Sequence, residues 1–325
     1  MRGGDILDQT IFLAANSGQG FYSLYDGFPG DGCFLHIVKG GPGTGKSGFM
    51  RAIREAARSH GLDTLSVLCS GDPDSLDGLA IPALGQAWVD GTAPHVREPE
   101  LFGADADYVN LGRFCRLPLS AKERDRALAL NRAYKDRYQA AYGRLSAAAA
   151  LEKAEELRDA EVLHGEELRM RTLLEALPDH GGPCVCEKRF ISAISCRGYL
   201  RLNDTVYVLC KQIYYFRDDG SILTKAAAVA AKKAGRVILC PRPLRPEQLE
   251  AVLLPELSIG LLRAQASMPI PQGERLLSNE ALSQSMDALR EAKALHDKLE
   301  AVYRPCMDFG ALTAYTKEYV EKLFA

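Results

Sequence analysis

The segment Lys39-Gly40-Gly41-Pro42-Gly43-Thr44-Gly45-Lys46-Ser47 constrains this chain more than any other. It contains G-x-x-x-x-G-K-S, and its surroundings give that string meaning. Before it stands the β-prone run Phe34-Leu35-His36-Ile37-Val38. After it, Gly48 to His60 carries Phe49, Ile53, Ala56 and Ala57 at helical spacing and ends at Gly61, which suits a left-handed C-cap. Strand, glycine turn and helix in this order predict an α/β layer architecture, a parallel sheet flanked by helices with its site at the carboxyl ends of the strands.

The residue types state what the turn is for. Glycines at 40, 41, 43 and 45 let successive backbone N–H groups point inward at phosphate oxygens, and the helix N-terminus adds partial positive charge. Gly41, Pro42, Gly43, Thr44, Gly45, Lys46, Ser47 and Gly48 are the expected nucleotide-binding residues. Lys46 is expected to reach the β- and γ-phosphates, and the Ser47 hydroxyl to ligate Mg²⁺. No N-K-x-D guanine-reading string is present, so the expected nucleotide is ATP.

Such a site needs a second metal-side carboxylate at the end of a neighbouring strand. Thr64 to Cys69 reads as one strand and Gln86-Ala87-Trp88-Val89-Asp90 as another, which makes Asp90 the expected catalytic and metal-holding aspartate. The plainer reading is that Asp90 only opens an Asp-Gly turn. Asp72, Asp74 and Asp77, in the string Gly71 to Gly78 read as a loop, and His95 are the rival substrate- or metal-contacting residues, with loop solvation as their ordinary role. Many hydrolytic P-loop ATPases carry a glutamate directly after the strand aspartate. Gly91 stands there instead, so fast hydrolysis is not expected.

The chain repeats itself. Phe12 to Phe21 aligns with Phe190 to Tyr199 at a constant offset of 178, and Val67-Leu68-Cys69 corresponds to Ile238-Leu239-Cys240. The chemistry does not recur. Lys211 to Gly220 is aromatic and acidic where the glycine turn should be, and Asp90 becomes Arg263, so the second copy is expected not to hold Mg-nucleotide. Arg197, Arg217 or Arg263 is then either a finger reaching the first copy's phosphates or a member of a surface ion pair.

Ser120 to Leu177 lacks proline and is rich in Ala, Leu, Glu, Lys and Arg, which predicts an antiparallel helical hairpin broken at Gly143, with Ser120 and Glu123 as a capping box. The expected layout is a nucleotide-binding module over 1–118, a hairpin arm over 119–178, a degenerate module over 183–270 and a second helical arm over 271–325. Composition argues by exclusion. Lys and Arg number 40 against 42 Asp and Glu, a net charge of −2, which disfavours a protein that coats nucleic acid or an anionic membrane. No long apolar stretch or signal-like N-terminus is seen, and nine scattered cysteines suit reduced thiols, so a cytoplasmic location is expected.

Several strings together carry a resemblance: Phe21 to Asp26, the turn Lys39 to Ser47, Ser70 to Gly78, Val89 to His95, and Arg304-Pro305-Cys306-Met307-Asp308-Phe309. The chain resembles a poorly characterised bacterial family of tandem P-loop proteins, whose members are called ATPase, ATP-binding protein or nucleotide kinase. The resemblance implies ATP binding with Mg²⁺ and leaves the reaction open. A Mg-dependent P-loop NTPase of modest turnover is the leading expectation. The alternatives are a small-molecule or nucleotide kinase and an ATP-gated protein that captures an unknown partner with its helical arms.

Overall fold

The computed structural model of the chain describes residues 8–30, 32–93, 96–155, 160–264 and 277–325. Alternating apolar runs and turns in the first 118 residues fold into β1 (Gln9–Phe12), the hairpin β2 (Ala14–Ser17) and β3 (Gly20–Ser23), then β4 (Phe34–Lys39), α1 (Lys46–Ser59), β5 (Leu65–Leu68), β6 (Leu76–Ile81), β7 (Gln86–Asp90) and β8 (Ala106–Asn110). Two helices follow, α2 (Ala121–Glu155) and α3 (Ala160–Glu175). The second half gives β9 (Val185–Lys188), the hairpin β10 (Ser192–Ser195) and β11 (Gly198–Arg201), α4 (Asn203–Leu209), β12 (Gln212–Phe216), α5 (Ile222–Lys233), β13 (Arg236–Pro241), β14 (Leu249–Leu254) and β15 (Ile259–Arg263). It ends with α6 (Leu277–Tyr303) and α7 (Phe309–Leu323).

The first sheet has the order β1-β5-β6-β7-β4-β8, and the second reads β9-β13-β14-β15-β12 from the equivalent edge. The same strand order is thus laid down twice, with β8 the extra strand of the first sheet. Neither sheet is wholly parallel, contrary to expectation. β6 runs antiparallel to β5 and β7, and β14 runs antiparallel to β13 and β15. The cause lies in the connections. A short 3₁₀ turn at Pro82–Leu84 closes β6 onto β7 as a hairpin, which only antiparallel strands permit, and Pro255–Leu257 does the same for β14 and β15. Gly85 and Ser258 end those turns in the left-handed region, at φ of 60° and 55°.

An approximate two-fold relation joins the halves. Phe12 and Phe190 exchange backbone hydrogen bonds, 3.0 Å from Phe12 N to Phe190 O and 2.9 Å in return. Gly18 N donates to Leu244 O while its counterpart Cys196 N donates to Gly71 O. Phe12, Ala15, Phe190 and Ala193 are fully buried around this junction, so the duplicated hairpins form one shared core.

The helical segments depart from the expected hairpin. α2 passes through Gly143 without a break, because Ala141, Leu145 and Ala148 on one face are buried against Ile194 and against Ala288 and Leu289 of α6. That packing outweighs the roughly 1 kcal/mol an internal glycine costs a helix. α3 leaves α2 and buries Met170 and Leu174 on α5 of the second module. α7 makes the reciprocal move, setting Leu312, Tyr315 and Tyr319 against Phe49, Met50 and Ile53 of α1. Each arm therefore covers the other copy's helix, and this exchange brings α6 and α7 to the first copy's glycine turn.

Candidate functional site

The site begins where β4 ends. Lys39 is its last residue and Lys46 the first of α1, and the backbone between them reverses through Gly43 and Gly45 at φ of 70° and 86°, a region open to glycine with little strain. Gly40 is required for a different reason. A Cβ there would lie 2.4 Å from Thr44 Oγ1, which donates to Gly41 O at 2.8 Å and cross-links the turn. Lys46 folds back over this turn, with Nζ donating to Gly40 O at 2.9 Å and Gly41 O at 3.0 Å. Ser47 Oγ accepts a hydrogen bond from Leu76 N at 3.0 Å, which ties the start of α1 to β6.

β7 lies parallel to β4 with Asp90 in register with Val38, so the Asp90 carboxylate emerges beside the turn. Its Oδ2 stands 3.6 Å from Lys46 Nζ, and its Oδ1 accepts from Thr92 N at 2.9 Å and from Thr92 Oγ1 at 2.6 Å. One Asp90 oxygen thus shapes the turn, as the plainer reading has it, and the other faces Lys46. Burial pushes the Asp90 carboxyl above its ordinary value, while the Lys46 charge pulls it down and the Asp77 charge pushes it up. Gly91 is sterically fixed. A Cβ at this position would lie 2.3 Å from Ile37 Cγ2, so a side chain where many ATPases hold a glutamate would force Ile37 to shift.

These groups open into a cavity of about 810 Å³. Its floor is the glycine turn with Lys46, Ser47 and Asp90; its walls come from Asn131, Tyr134 and Tyr138 of α2, from Lys293, His296 and Glu300 of α6, and from Arg304 just after it. The second arm lies hard against the turn. A Cβ on Gly43 would be 3.1 Å from Glu300 Cβ, one on Gly41 3.5 Å from the Tyr303 ring, and one on Gly45 2.8 Å from Leu312 Cδ2. The turn glycines therefore serve helix packing as well as backbone geometry.

The acidic string separates into different environments. Asp72 pairs with Lys293 at 3.3 Å, and Asp74, though it too lines the cavity, pairs with Arg197. Asp77 is not in a loop but on β6, buried, with Gly78 beside it. A Cβ on Gly78 would press to 3.2 Å on Val67, so this Asp-Gly pair marks the close approach of β5 and β6 instead of a turn. His95 lies outside the described residues. His36, beneath the turn, is held at Nδ1 by Asp107 at 2.6 Å and at Nε2 by Gln86 at 2.7 Å, and stacks on Trp88.

The second copy places a carboxylate at the start of the helix that corresponds to α1. At the N-terminus of α5, Asp218 Oδ1 accepts from Gly220 N at 2.9 Å and Ile222 N at 2.8 Å, so a built-in carboxylate occupies the place an anion takes at a helix start. None of the three arginines considered as a finger lines the first copy's cavity. Arg197 is spent on Asp74 in an exposed pair, Arg217 is exposed, and Arg263 donates to Gln248 Oε1 at 3.3 Å beside Asp218.

Sequence reasoning missed the α6 contribution. Lys293, His296 and Glu300 recur at three- and four-residue spacing, a polar stripe beside the apolar face of Leu289, Ala292, Leu299 and Val302. Compared with protein-family models, with curated proteins and with solved structures, the chain finds no significant match. Among the described residues no helix is long and apolar enough to cross a membrane.

Proposed function

We propose that this protein binds ATP with Mg²⁺ at the turn between β4 and α1 and transfers the γ-phosphoryl group slowly to water, as a P-loop NTPase with one working site. The observation that carries the reading is Lys46. Its ammonium is pinned by the Gly40 and Gly41 carbonyls at the helix N-terminus, 3.6 Å from the strand-end Asp90, at the base of a nucleotide-sized cavity. A phosphate chain entering there meets backbone N–H groups, the helix dipole and one lysine, while Asp90 remains for the metal side.

The donor set fits magnesium. Ser47 Oγ and the Asp90 carboxylate are hard oxygen donors next to the expected phosphates, and Mg²⁺ in such sites takes one or two protein oxygens and completes its shell with phosphate oxygens and water. When bound, the ion would neutralise charge on the β- and γ-oxygens.

Calorimetric titration of the whole chain with MgATP tests the reading. Lys46→Ala should abolish measurable affinity and phosphate release; unchanged affinity and turnover in that variant would overturn the assignment. A second reading, transfer to a small-molecule acceptor, draws on the cavity itself, which continues past Lys46 to Asp72, Tyr134 and Tyr138. A phosphorylated metabolite formed from labelled ATP in a cell extract would favour it.

A further inference from the structure

A phosphotransfer site of this kind needs a group to take the proton of the attacking oxygen, and the position after Asp90 cannot supply it. Gly91 carries no side chain, and one there would force Ile37 to shift. Of the aspartates lining the cavity, Asp90 is committed to Thr92 and Lys46, Asp72 to Lys293 and Asp74 to Arg197, and Asp77 is buried on β6. The cavity wall opposite the turn offers an alternative. His296 and Glu300 lie one helical turn apart on α6, on the face that packs on the glycine turn, and Glu300 sits directly over Gly43.

Building on the nucleotide reading above, we propose that His296, oriented by Glu300, is the general base for attack on the γ-phosphorus, so that the copy without a phosphate loop completes the site of the copy that has one. His296 Nδ1 faces Glu300 Oε1 at 3.6 Å, and its ring lies against Tyr134 with centroids 5.5 Å apart. Nε2 carries no hydrogen bond among the described residues and belongs to a ring that lines the cavity shared with Lys46. This is the arrangement of a base with an orienting carboxylate behind it, and the 3.6 Å separation is of the kind that tightens when a charged imidazolium forms.

Charges around the ring keep it ready to accept a proton. Burial lowers the His296 pKa first; Glu300 and Asp297 raise it, and Lys293 and Lys46 lower it, while Tyr134 of α2 lies against the ring and Arg304, just past α6, stands 3.9 Å from Glu300. The net direction is downward, which favours the neutral imidazole. In the step itself, an oxygen lone pair of the attacking water forms the bond to the γ-phosphorus. The bond from that phosphorus to the β,γ-bridging oxygen breaks, its electron pair staying on the nucleoside diphosphate, and the water proton passes to His296 Nε2. Glu300 balances the imidazolium until the proton leaves to solvent.

The test measures MgATP affinity by calorimetry and phosphate release against pH for the whole chain and for His296→Asn and Glu300→Gln. His296→Asn should keep affinity within about threefold, lower kcat by about 100-fold or more and remove the acidic limb of the kcat profile. Glu300→Gln should lower kcat less and move that limb to lower pH, because it removes a charge that favours the imidazolium. Wild-type kcat with an intact acidic limb in His296→Asn overturns the base assignment alone. ATP binding without phosphate release by the wild-type chain also overturns it, whereas failure of the wild-type chain to bind MgATP overturns the nucleotide reading as well. If His296→Asn does not fold, the displaced limb in Glu300→Gln decides, and an unmoved limb there counts against the proposal.

Discussion

Lys46 and Asp90 face each other at 3.6 Å across the glycine turn, and each has a second commitment, Lys46 to the Gly40 and Gly41 carbonyls and Asp90 to Thr92. The pair is nearly buried, with side-chain exposures of 12% and 15%, so its attraction is set against a desolvation cost that raises the Asp90 pKa. On the nucleotide reading proposed above, phosphate and metal would come between these two charges.

Asp90→Asn follows from that balance. A carboxyl whose folded pKa lies above its unfolded value weakens the fold when ionised, an effect fully present above the folded pKa and lost as pH falls through it toward the unfolded value. Asparagine retains Oδ1 for Thr92 and carries no charge. The neutral side chain should therefore offset the loss of the Lys46 pair, leaving the variant at least as stable as wild type at pH 7, with any gain shrinking toward pH 4. Urea midpoints at the two pH values check this, and MgATP affinity in the same variant should fall.

Gly91→Ala tests the crowding against Ile37. With the added Cβ 2.3 Å from Ile37 Cγ2 inside the sheet, the substitution should cost about 1–3 kcal/mol in urea unfolding without a change in m. Combined with Ile37→Ala it should cost less than the two single effects added, a coupling a double-mutant cycle measures. Strict additivity would mean that something other than this contact fixes glycine here.

How much of this was legible in the sequence depended on distance along the chain. The β4–turn–α1 unit and the place of Asp90 at the end of β7 were readable because each is specified by contiguous residues, down to Gly61, whose φ of 71° ends α1 as its position suggests. Gly143 misled because its cost is local while its compensation, the Ala141–Leu145–Ala148 face against α6, is tertiary. Asp77-Gly78 misled for a similar reason, since an Asp-Gly pair selected for strand contact looks like one selected for a turn. His296 and Glu300 were out of reach, because nothing in α6 says that the two-fold junction at Phe12 and Phe190 will carry it onto the other copy's turn.

Tyr319→Phe probes that exchange of arms. Trp88, the single tryptophan, is fully buried on β7 and donates from Nε1 to Tyr319 Oη of α7 at 3.0 Å. Phenylalanine keeps the packing and leaves a buried indole N–H without its acceptor, a loss of about 1–3 kcal/mol. The urea midpoint followed by Trp88 fluorescence should fall while the native emission remains that of a buried indole. An unchanged midpoint would mean that α7 contributes only apolar contact.

Arg197→Ala distinguishes an ion pair from a phosphate finger. The Arg197 and Asp74 side chains are 58% and 57% exposed, and pairs of that kind contribute about 0–1 kcal/mol. Stability and ATP turnover should both stay close to wild type. A large fall in kcat with stability unchanged would return Arg197 to the transition state.

Asp218 is the second copy's counterweight to the glycine turn, and two substitutions separate its roles. Alanine removes the acceptor for Gly220 N and Ile222 N at the start of α5 and should cost about 0.5–2 kcal/mol, the scale of a lost helix cap. Asparagine keeps an acceptor oxygen while removing a buried charge whose pKa burial has raised, the bonds from Ile222 and Gly220 offsetting only part of that rise. Asp218→Asn should therefore be as stable as wild type or more so at pH 7. The comparison should turn toward wild type as acid protonates Asp218, because the wild-type carboxyl then regains the stability its charge had cost. Urea titrations of the two variants at pH 7 and near pH 4 check both signs. If alanine and asparagine behave alike, the acceptor oxygen at 218 is not what holds the start of α5.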